Sequence, residues 1–266
     1  MSVLLLLGDH PRHRYIANCL HAAGQLSGMV IEQREAFVPS PPDHLSPSLA
    51  TLYERHFRER RETEERHFGS HDQLPSGLPS CTIHREELNS AKVCNFLAEN
   101  PARLLLSYGV HRLEPQTLNA ANVRYRWNIH GGLSPWYRGC ITHFWPSYLL
   151  EPQMTGFTIH ELTDALDQGP VIHQSGTRLV RGDGLHDLAC RAVTILGEEL
   201  PRLVELAQTQ DTLHGSPHSS SGKLWLARDW RAEHLRLIYE QYDNRIVDRC
   251  LDGEITGREP ELIRQW

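Results

Sequence analysis

The sequence lacks the features that mark several classes of protein. No apolar run approaches the ~18 residues of a membrane span, and neither a Cys-x-x-Cys pair nor a His-Glu-x-x-His pattern indicates a metal or redox site. Basic residues are not in excess: 27 Lys and Arg stand against 33 Asp and Glu, and the net charge of −6 gives no overall cationic field for nucleic acid or anionic lipid. We therefore expect a soluble cytoplasmic protein with six reduced cysteines, no metal, and no nucleic-acid or membrane partner.

The first residues predict the start of a parallel sheet. The apolar run Val3 to Leu7 has no basic residue before it and ends at Gly8, so we expect a buried strand and no signal peptide. The strand is followed by a turn that continues to Arg14, a helix over 15–23 and a strand over 29–32. Strand, helix and strand at this spacing are typical of an α/β fold.

The remaining periodicities extend this pattern along the chain. They predict a proline-rich connector at 38–48, helices at 49–68, 85–98 and 185–208, loops at 69–80 and around Pro115, and strands at 103–107, 158–162 and 171–179. The fold class is therefore α/β, with a Rossmann-like, mostly parallel sheet flanked by helices.

Three parts are expected in the domain organisation. Residues 1–213 form the catalytic domain, 214–222 form a linker rich in Ser, His and Gly, and 223–266 form a small C-terminal strand-plus-helix extension. Helix 49–68 is an unusually charged insertion, and a stripe of aromatic and histidine side chains can share one of its sides. A solvated helix that packs one stripe explains this pattern, and a lid over the substrate cleft or a homodimer contact is the functional alternative. The stripe consists of Tyr53, His56, Phe57, His67 and Phe68.

The polar residues that could carry chemistry lie between 125 and 174. Asn128 and His130 are two residues apart at the end of an apolar strand, so their side chains point the same way, towards the carboxyl edge of the sheet. Asp167 lies in a Leu-Asp-Gln-Gly-Pro turn that can fold back on that edge. An amide and an imidazole can stabilise an oxyanion while a carboxylate assists proton movement, so the set suits acyl transfer to an amine. Singly, each residue has an ordinary structural interpretation as a turn residue, a structural histidine or a turn cap.

Together, these motifs resemble one enzyme family. The order Asn-Ile-His, Pro-x-x-Arg-Gly, Thr-Gly-x-Thr-Ile-His and Leu-Asp-x-Gly-Pro-x-Ile-x-Gln is similar to that of the 10-formyltetrahydrofolate-dependent formyltransferases. This family includes the glycinamide ribonucleotide, methionyl-tRNA and amino-sugar N-formyltransferases. The resemblance is close over about residues 100–180, and it implies the formyltransferase fold.

The resemblance also implies roles for individual residues. The catalytic set would be Asn128, His130 and Asp167, with Asn128 and His130 stabilising a tetrahedral intermediate and Asp167 assisting proton transfer. The formyl donor, 10-formyltetrahydrofolate, would contact Tyr108, Gly109, Val110, Leu113, Leu162, Thr163, Asp164, Ala165 and Leu166.

The acceptor side is less well defined. Glycine-rich backbone and nearby arginines suggest acceptor contacts at Gly8, Arg12, Arg14, Gly131, Gly132 and Arg138. Where the family usually has Ser-Leu-Leu-Pro, this chain has Gly132-Leu133-Ser134-Pro135, so a non-standard acceptor is expected.

We expect the acceptor to be the primary amine of a small molecule or of a nucleotide-linked amino sugar. Initiator tRNA fits poorly with the acidic net charge, and glycinamide ribonucleotide would need a better phosphate-binding turn than Gly8 provides. Two alternatives outside the transferases stay open: a hydrolase that deformylates 10-formyltetrahydrofolate, and a non-catalytic folate-binding protein. Family hydrolases carry an additional N-terminal regulatory domain, whereas here the first strand is expected at Val3.

Overall fold

The chain folds around a mostly parallel β-sheet, which confirms the expected α/β class. The computed structural model describes residues 2–163, 168–210, 213–217 and 222–266. The strands are β1 (Val3–Gly8), β2 (Leu26–Glu32), β3 (Ser80–Ile83), β4 (Leu104–Tyr108), β5 (Tyr125–His130), β6 (Tyr137–Gly139), β7 (Gly156–Glu161), β8 (Val171–Gly176) and β9 (Lys223–Trp225). The main sheet has the order β3-β2-β1-β4-β5-β7-β8, and within it β7 runs antiparallel to both of its neighbours. Strands β6 and β9 form a separate parallel pair.

Helices cover both faces of the main sheet. They are α1 (Pro11–Ala22), α2 (Pro47–Phe68), α3 (Ala91–Glu99), α4 (Pro115–Ala120), α5 (Trp145–Tyr148), α6 (Leu185–Thr209) and α7 (Ile246–Leu251). Leu5 and Leu7 of β1 belong to the core with α1 and α6, whereas Leu4 and Leu6 belong to the core with α3 and α4. Alternate side chains of β1 thus point to opposite faces, as expected of a strand that is buried on both sides.

Helix α1 begins earlier than the sequence suggested. It starts at Pro11 and not at Tyr15, because His10 is extended and proline is favoured in the first turn of a helix. The turn expected to reach Arg14 is therefore limited to Asp9 and His10. This shift places Arg12 and His13 in the first turn of α1, at the carboxyl end of β1.

The prediction of a single helix at 85–98 was wrong. A 3₁₀ turn at Arg85–Glu87 and helix α3 replace it, with Asn89 between them. The Asn89 amide donates to the carbonyl of Arg112 (3.0 Å) and accepts from the backbone N–H of Glu114 (2.8 Å). Asparagine bonds to backbone in this way outside helices, and here it anchors the loop that follows β4.

Two other segments expected to be loops contain short regular elements. Edge strand β3 begins at Ser80, where a loop was expected, and α4 forms at the loop expected around Pro115. Most of β3 is accessible to solvent, and its alternation of polar and apolar residues, Ser-Cys-Thr-Ile, spans only 4 residues, which is too short to have predicted a strand.

Helix α2 forms as expected and packs its stripe inside the protein. It starts at Pro47, and the Ser46 hydroxyl caps it by accepting from the N–H of Leu49 (3.4 Å). Tyr53, His56 and Phe68 of the stripe are buried, and Nδ1 of His56 hydrogen bonds with the hydroxyl of Tyr239 (3.0 Å).

The C-terminal segment packs against the rest of the chain. Trp225 of β9 stacks on Trp145 of α5 with 4.0 Å between the ring centroids. Residues of α2, of the segment 137–154 and of the segment 225–246 form one shared hydrophobic core. The expected strand-plus-helix extension therefore contributes β9 and α7 to a core that it shares with α2.

Candidate functional site

The carboxyl end of β5 brings the predicted asparagine and histidine together. In the sheet, Asn128 lies opposite Ser107 of parallel β4 and opposite His160 of antiparallel β7. The Ser107 hydroxyl donates to Oδ1 of Asn128 (2.7 Å), and the distance from Nδ2 of Asn128 to Nε2 of His160 is 3.1 Å. Both ends of the amide are therefore held by neighbouring strands.

The second bond of His160 defines the direction of the first. Nδ1 of His160 lies 2.8 Å from the carbonyl oxygen of Glu161, and a carbonyl oxygen can only accept. Nδ1 therefore carries a proton, and Nε2 of the neutral ring accepts from the Asn128 amide. Because an amide NH₂ has two N–H bonds, this arrangement leaves the second N–H of Asn128 for a ligand.

His130 is fixed by the loop that follows it. The side chain is buried, with the residue 6% exposed, and Nε2 donates to the carbonyl of Tyr137 (2.7 Å). The ring centroids of His130 and His160 are 6.4 Å apart. Because a carbonyl oxygen can only accept, Nε2 of His130 carries a proton.

The glycine loop after β5 is held by the protein itself. The Thr158 hydroxyl donates to the carbonyl of Gly132 (2.7 Å) and accepts from the N–H of Ser134 (2.9 Å). A side chain at Gly132 would overlap the Tyr137 carbonyl and come within 2.9 Å of Nε2 of His130. Because Gly132 has no side chain, the loop can approach His130 closely.

Part of the predicted site lies outside the described residues. This applies to Asp167, predicted as the third catalytic residue, and to Asp164, Ala165 and Leu166 of the predicted folate-binding loop. Thr163, the last described residue before this gap, is exposed.

Three of the other predicted folate residues, Val110, Leu113 and Leu162, form an apolar wall on the α3 and α4 side of the sheet. Leu113 is buried in that core, and half-buried Val110 and Leu162 pack against it. Gly109 has a φ of +71°, and a side chain there would overlap the imidazole of His13. Tyr108 is itself buried, its ring 4.6 Å from that of His13, and burial raises the pKa of its hydroxyl.

The predicted acceptor residues separate into different places. Gly8 ends β1 beside His13, and a side chain there would come within 2.6 Å of that imidazole. The Arg12 guanidinium pairs with Glu64 of α2 at 2.5 Å. Arg14 instead donates to the backbone carbonyl of Asp72 (2.6 Å), so the structure does not bring it together with Arg12.

Arg138 lies in the short strand β6, within the loop that follows β5, and is 5% exposed. Its Nη2 donates to the carbonyl of Gly222 (3.1 Å), while its Nε and Nη1 have no hydrogen-bond partner in the described parts of the chain. Gly131 lies near His143, whose Nε2 would be 3.3 Å from a side chain at that glycine.

Sequence reasoning missed several polar residues beside the predicted set. Burial lowers the pKa of His143 to about 3, with further contributions from the charges of Arg12 and His130. Burial, together with the guanidinium groups of Arg12 and Arg60, likewise lowers the pKa of His10 to about 3. The sequence contains no signal for the surroundings of His10. Its neighbours Arg60 and Glu64 lie about fifty residues further along the chain, and α2 brings them to α1 only in the folded protein.

His160 could have been found from the sequence. It ends the Thr-Gly-x-Thr-Ile-His motif, and the alternation of side chains along a strand places it on the same side as Thr158. The antiparallel register that sets it opposite Asn128, however, appears only in the folded sheet.

Over the described ranges, no group of three or more His, Cys, Asp and Glu side chains is arranged to hold a metal ion. None of the helices in the described part of the chain is long and apolar enough to cross a membrane.

Comparison with known proteins gives a consistent family. The sequence profile of the formyl transferase family matches residues 63–204. A dTDP-4-amino-4,6-dideoxyglucose formyltransferase from Mycobacterium bovis is 29% identical over 111 residues, which are 42% of this chain and 45% of that protein. The matched segments span less than half the length of the curated relatives.

Two solved structures share the fold. A phosphoribosylglycinamide formyltransferase from Anaplasma phagocytophilum has a TM-score of 0.55 at 19% identity, covering 85% of this chain and 95% of that one. An N-formyltransferase from Helicobacter canadensis, solved with folinic acid and dTDP-3-aminofucose, has a TM-score of 0.53 at 14% identity, covering 91% and 82%. At these identities the likeness concerns the fold alone. Because the family profile covers more than half of the 266 residues, the chain belongs to the formyl transferase family.

Proposed function

We propose that this protein is an N-formyltransferase that moves the formyl group of 10-formyltetrahydrofolate to a primary amine. The observation that carries the proposal is the Asn128 amide, which Ser107 and His160 hold at the end of β5 with one N–H directed to neither of them. A fixed donor of this kind stabilises an oxyanion without reorganising during the reaction. Because the chain belongs to the formyl transferase family, we take the transferred acyl group to be a formyl group.

The residues on the α3 and α4 side fit the donor. Val110 and Leu162 are half-buried around Leu113, so they offer an apolar wall to a flat aromatic ring such as a pterin. The segment 109–114 has no regular secondary structure, and its backbone is fixed beside this wall by Asn89 and by Glu32, which accepts from the N–H of His111 (2.9 Å). When bound, the folate would supply an activated formyl group next to Asn128.

Each catalytic residue then has a distinct task. Asn128 donates its second N–H to the formyl oxygen as negative charge develops there. His130, held through Nε2 by the Tyr137 carbonyl, stabilises the tetrahedral intermediate together with Asn128. As the bond between the formyl carbon and the folate nitrogen breaks, the proton that the attacking amine loses passes to that leaving nitrogen. We assign Asp167 the role of assisting this proton transfer, as the family resemblance implies.

The acceptor we propose is a small-molecule amine or a nucleotide-linked amino sugar. The 29% identity with a dTDP-amino-sugar formyltransferase supports this choice, and so does the fold shared with an enzyme solved with dTDP-3-aminofucose. Acceptor contacts are proposed at Gly8, Arg12, Gly131, Gly132 and Arg138, with Arg14 as a more distant contact. We propose that residues 1–213 carry the reaction and that the segment 223–266 supports it through the shared core.

The test follows both products of the reaction. Wild-type protein is mixed with 10-formyltetrahydrofolate and a pooled panel of amino sugars, nucleotide-linked amino sugars, amino acids and glycinamide ribonucleotide. Donor consumption is followed by absorbance, and formylated products are identified by mass. We expect one acceptor to gain a formyl group while tetrahydrofolate accumulates. Free formate without a formylated amine would instead indicate a hydrolase, and folate binding without turnover would indicate a binding protein.

A further inference from the structure

The first turn of α1 has the elements of an anion-binding site. The dipole of a helix favours negative charge at its start, and Arg12 adds a guanidinium in this turn. His10 precedes the turn, and its Nδ1 lies 3.3 Å from Nη2 of Arg12 and 3.3 Å from Nη2 of Arg60. Because Nε2 of His10 donates to the Glu35 carbonyl (3.1 Å), Nδ1 accepts, and the ring adds no positive charge.

In this protein a side chain of the chain itself fills that position. Glu64 of α2 is only 4% exposed, and its Oε1 lies 2.5 Å from Nη1 of Arg12 and 3.4 Å from Nε of Arg60. Its Oε2 is buried and has no hydrogen-bond partner among the described residues. Two guanidinium groups therefore share this buried carboxylate.

The cluster of Arg12, Arg60 and Glu64 lies next to the catalytic end of the sheet. His13, in the same turn as Arg12, has its ring 4.6 Å from that of Tyr108 at the end of β4. His143 lies between this cluster and His130. It neighbours Gly131, which directly follows His130, and the charges of both Arg12 and His130 lower its pKa. The cluster belongs to the α1 face of the sheet, whereas the apolar wall for the donor belongs to the α3 and α4 face.

We infer that Glu64 is a specificity-determining residue that excludes acceptors carrying a phosphate at the start of α1. This inference rests on the proposed function, since it concerns the acceptor of that same site. A phosphate placed against Arg12 would meet the carboxylate of Glu64, and two like charges at hydrogen-bond distance from one guanidinium repel strongly. The acceptor end that reaches Arg12 is therefore uncharged, such as the hydroxyl-bearing ring of a sugar, and any phosphate of the acceptor binds elsewhere.

The test replaces the Glu64 carboxylate with an amide of the same shape. Thermal unfolding is measured for wild type, Glu64→Gln and Glu64→Gln/Arg12→Gln, with inorganic phosphate titrated against sodium chloride at constant ionic strength. Glu65→Gln is the matched control, because it makes the same change at an exposed position of the same helix. We expect phosphate to bind Glu64→Gln roughly ten-fold or more tightly than wild type or the control, and the double variant to lose this gain.

Each outcome decides the inference. Equal stabilisation of wild type and Glu64→Gln by phosphate would overturn it, and so would the absence of phosphate binding in Glu64→Gln. If Glu64→Gln has no cooperative transition in chloride, restoration of the transition by phosphate supports the inference and failure to restore it contradicts the inference. Because phosphate binding needs no turnover, this result is independent of the acceptor panel: a protein that formylates nothing would overturn the proposed function alone.

Discussion

The Ser107 hydroxyl lies 2.7 Å from Oδ1 of Asn128, across adjacent parallel strands that end at the same edge of the sheet. This bond prevents the amide from rotating, and the Nδ2 group is then directed to His160 on the other side. The oxyanion donor of the proposed reaction is thus positioned by residues from three strands.

Replacing Ser107 with alanine tests this positioning. We expect Ser107→Ala to lower kcat by roughly ten-fold while the KM for the formyl donor changes little, because a misoriented amide costs transition-state stabilisation and not donor binding. Steady-state kinetics with the identified acceptor measure both constants. Ser27→Ala is the control, since the Ser27 hydroxyl donates to the Val3 carbonyl away from Asn128. A rise in KM with unchanged kcat would assign Ser107 to donor binding instead.

Gly109 should resist substitution more than a glycine that has a positive φ and open space around it, such as Gly24. Gly109→Ala introduces both the strain of a φ of +71° and an overlap with His13, so we expect a loss of about 2–4 kcal/mol in the free energy of unfolding. Gly24→Ala is the matched control, because its φ is +66° and no atom lies within 4 Å of the new side chain. The control should lose only about 1 kcal/mol. Equal losses in urea unfolding would show that the contact with His13 adds nothing.

The stacking of Trp225 on Trp145 should stabilise the whole protein. We expect Trp225→Ala to lower the free energy of unfolding by about 3–5 kcal/mol while unfolding remains a single transition, because the two rings belong to one core with α2. The neighbouring exposed Leu224 provides the control as Leu224→Ala. A separate early transition seen by calorimetry would mean that the C-terminal segment is an independent unit.

Buried neutral histidines should make the protein sensitive to acid. Burial is the main cause that lowers the pKa values of His10, His143 and His186 to about 3 from 6.5, and it also lowers those of His13 and His56. Between these pH values the unfolded chain binds protons that the folded chain does not. The contribution of these histidines to the free energy of unfolding is therefore fully present above pH 6.5. It falls as the pH drops, by about 1.4 kcal/mol per pH unit for each such histidine.

Urea unfolding from pH 8 to pH 4 checks this dependence. His143→Gln should reduce the slope of stability against pH, because glutamine does not titrate in this range. His21→Gln, at an exposed position, should leave the slope unchanged. The account of the histidines fails if the wild-type protein becomes more stable as the pH falls from 6.5 to 5.

Local patterns were sufficient to predict much of the fold. The uninterrupted apolar run of β1 and the periodicity of α2 and α6 report burial directly, so their positions were predicted within a few residues. Edge strand β3 is mostly exposed and only 4 residues long, and Asn89 interrupts the helix expected at 85–98 through bonds to a distant loop. Such long-range contacts have no local signature.

The same limit applies to the site. Asn128 and His130 could be paired from the sequence because two residues along a strand share a side. The contacts of Asn128 with Ser107 and His160, and of Arg12 with Glu64, join segments that are far apart in the chain. They depend on strand register and helix packing, which the spacing of residues does not specify.

The most direct test of the central claim is the rate of formyl transfer by Asn128→Ala. With the acceptor found in the panel, kcat/KM is compared for wild type, Asn128→Ala and the exposed control Asn122→Ala. The account predicts a loss of roughly 10²–10³-fold for Asn128→Ala alone, with tetrahydrofolate binding by calorimetry unchanged. If Asn128→Ala transfers the formyl group at the wild-type rate, the amide is not the oxyanion donor and the proposed mechanism is contradicted.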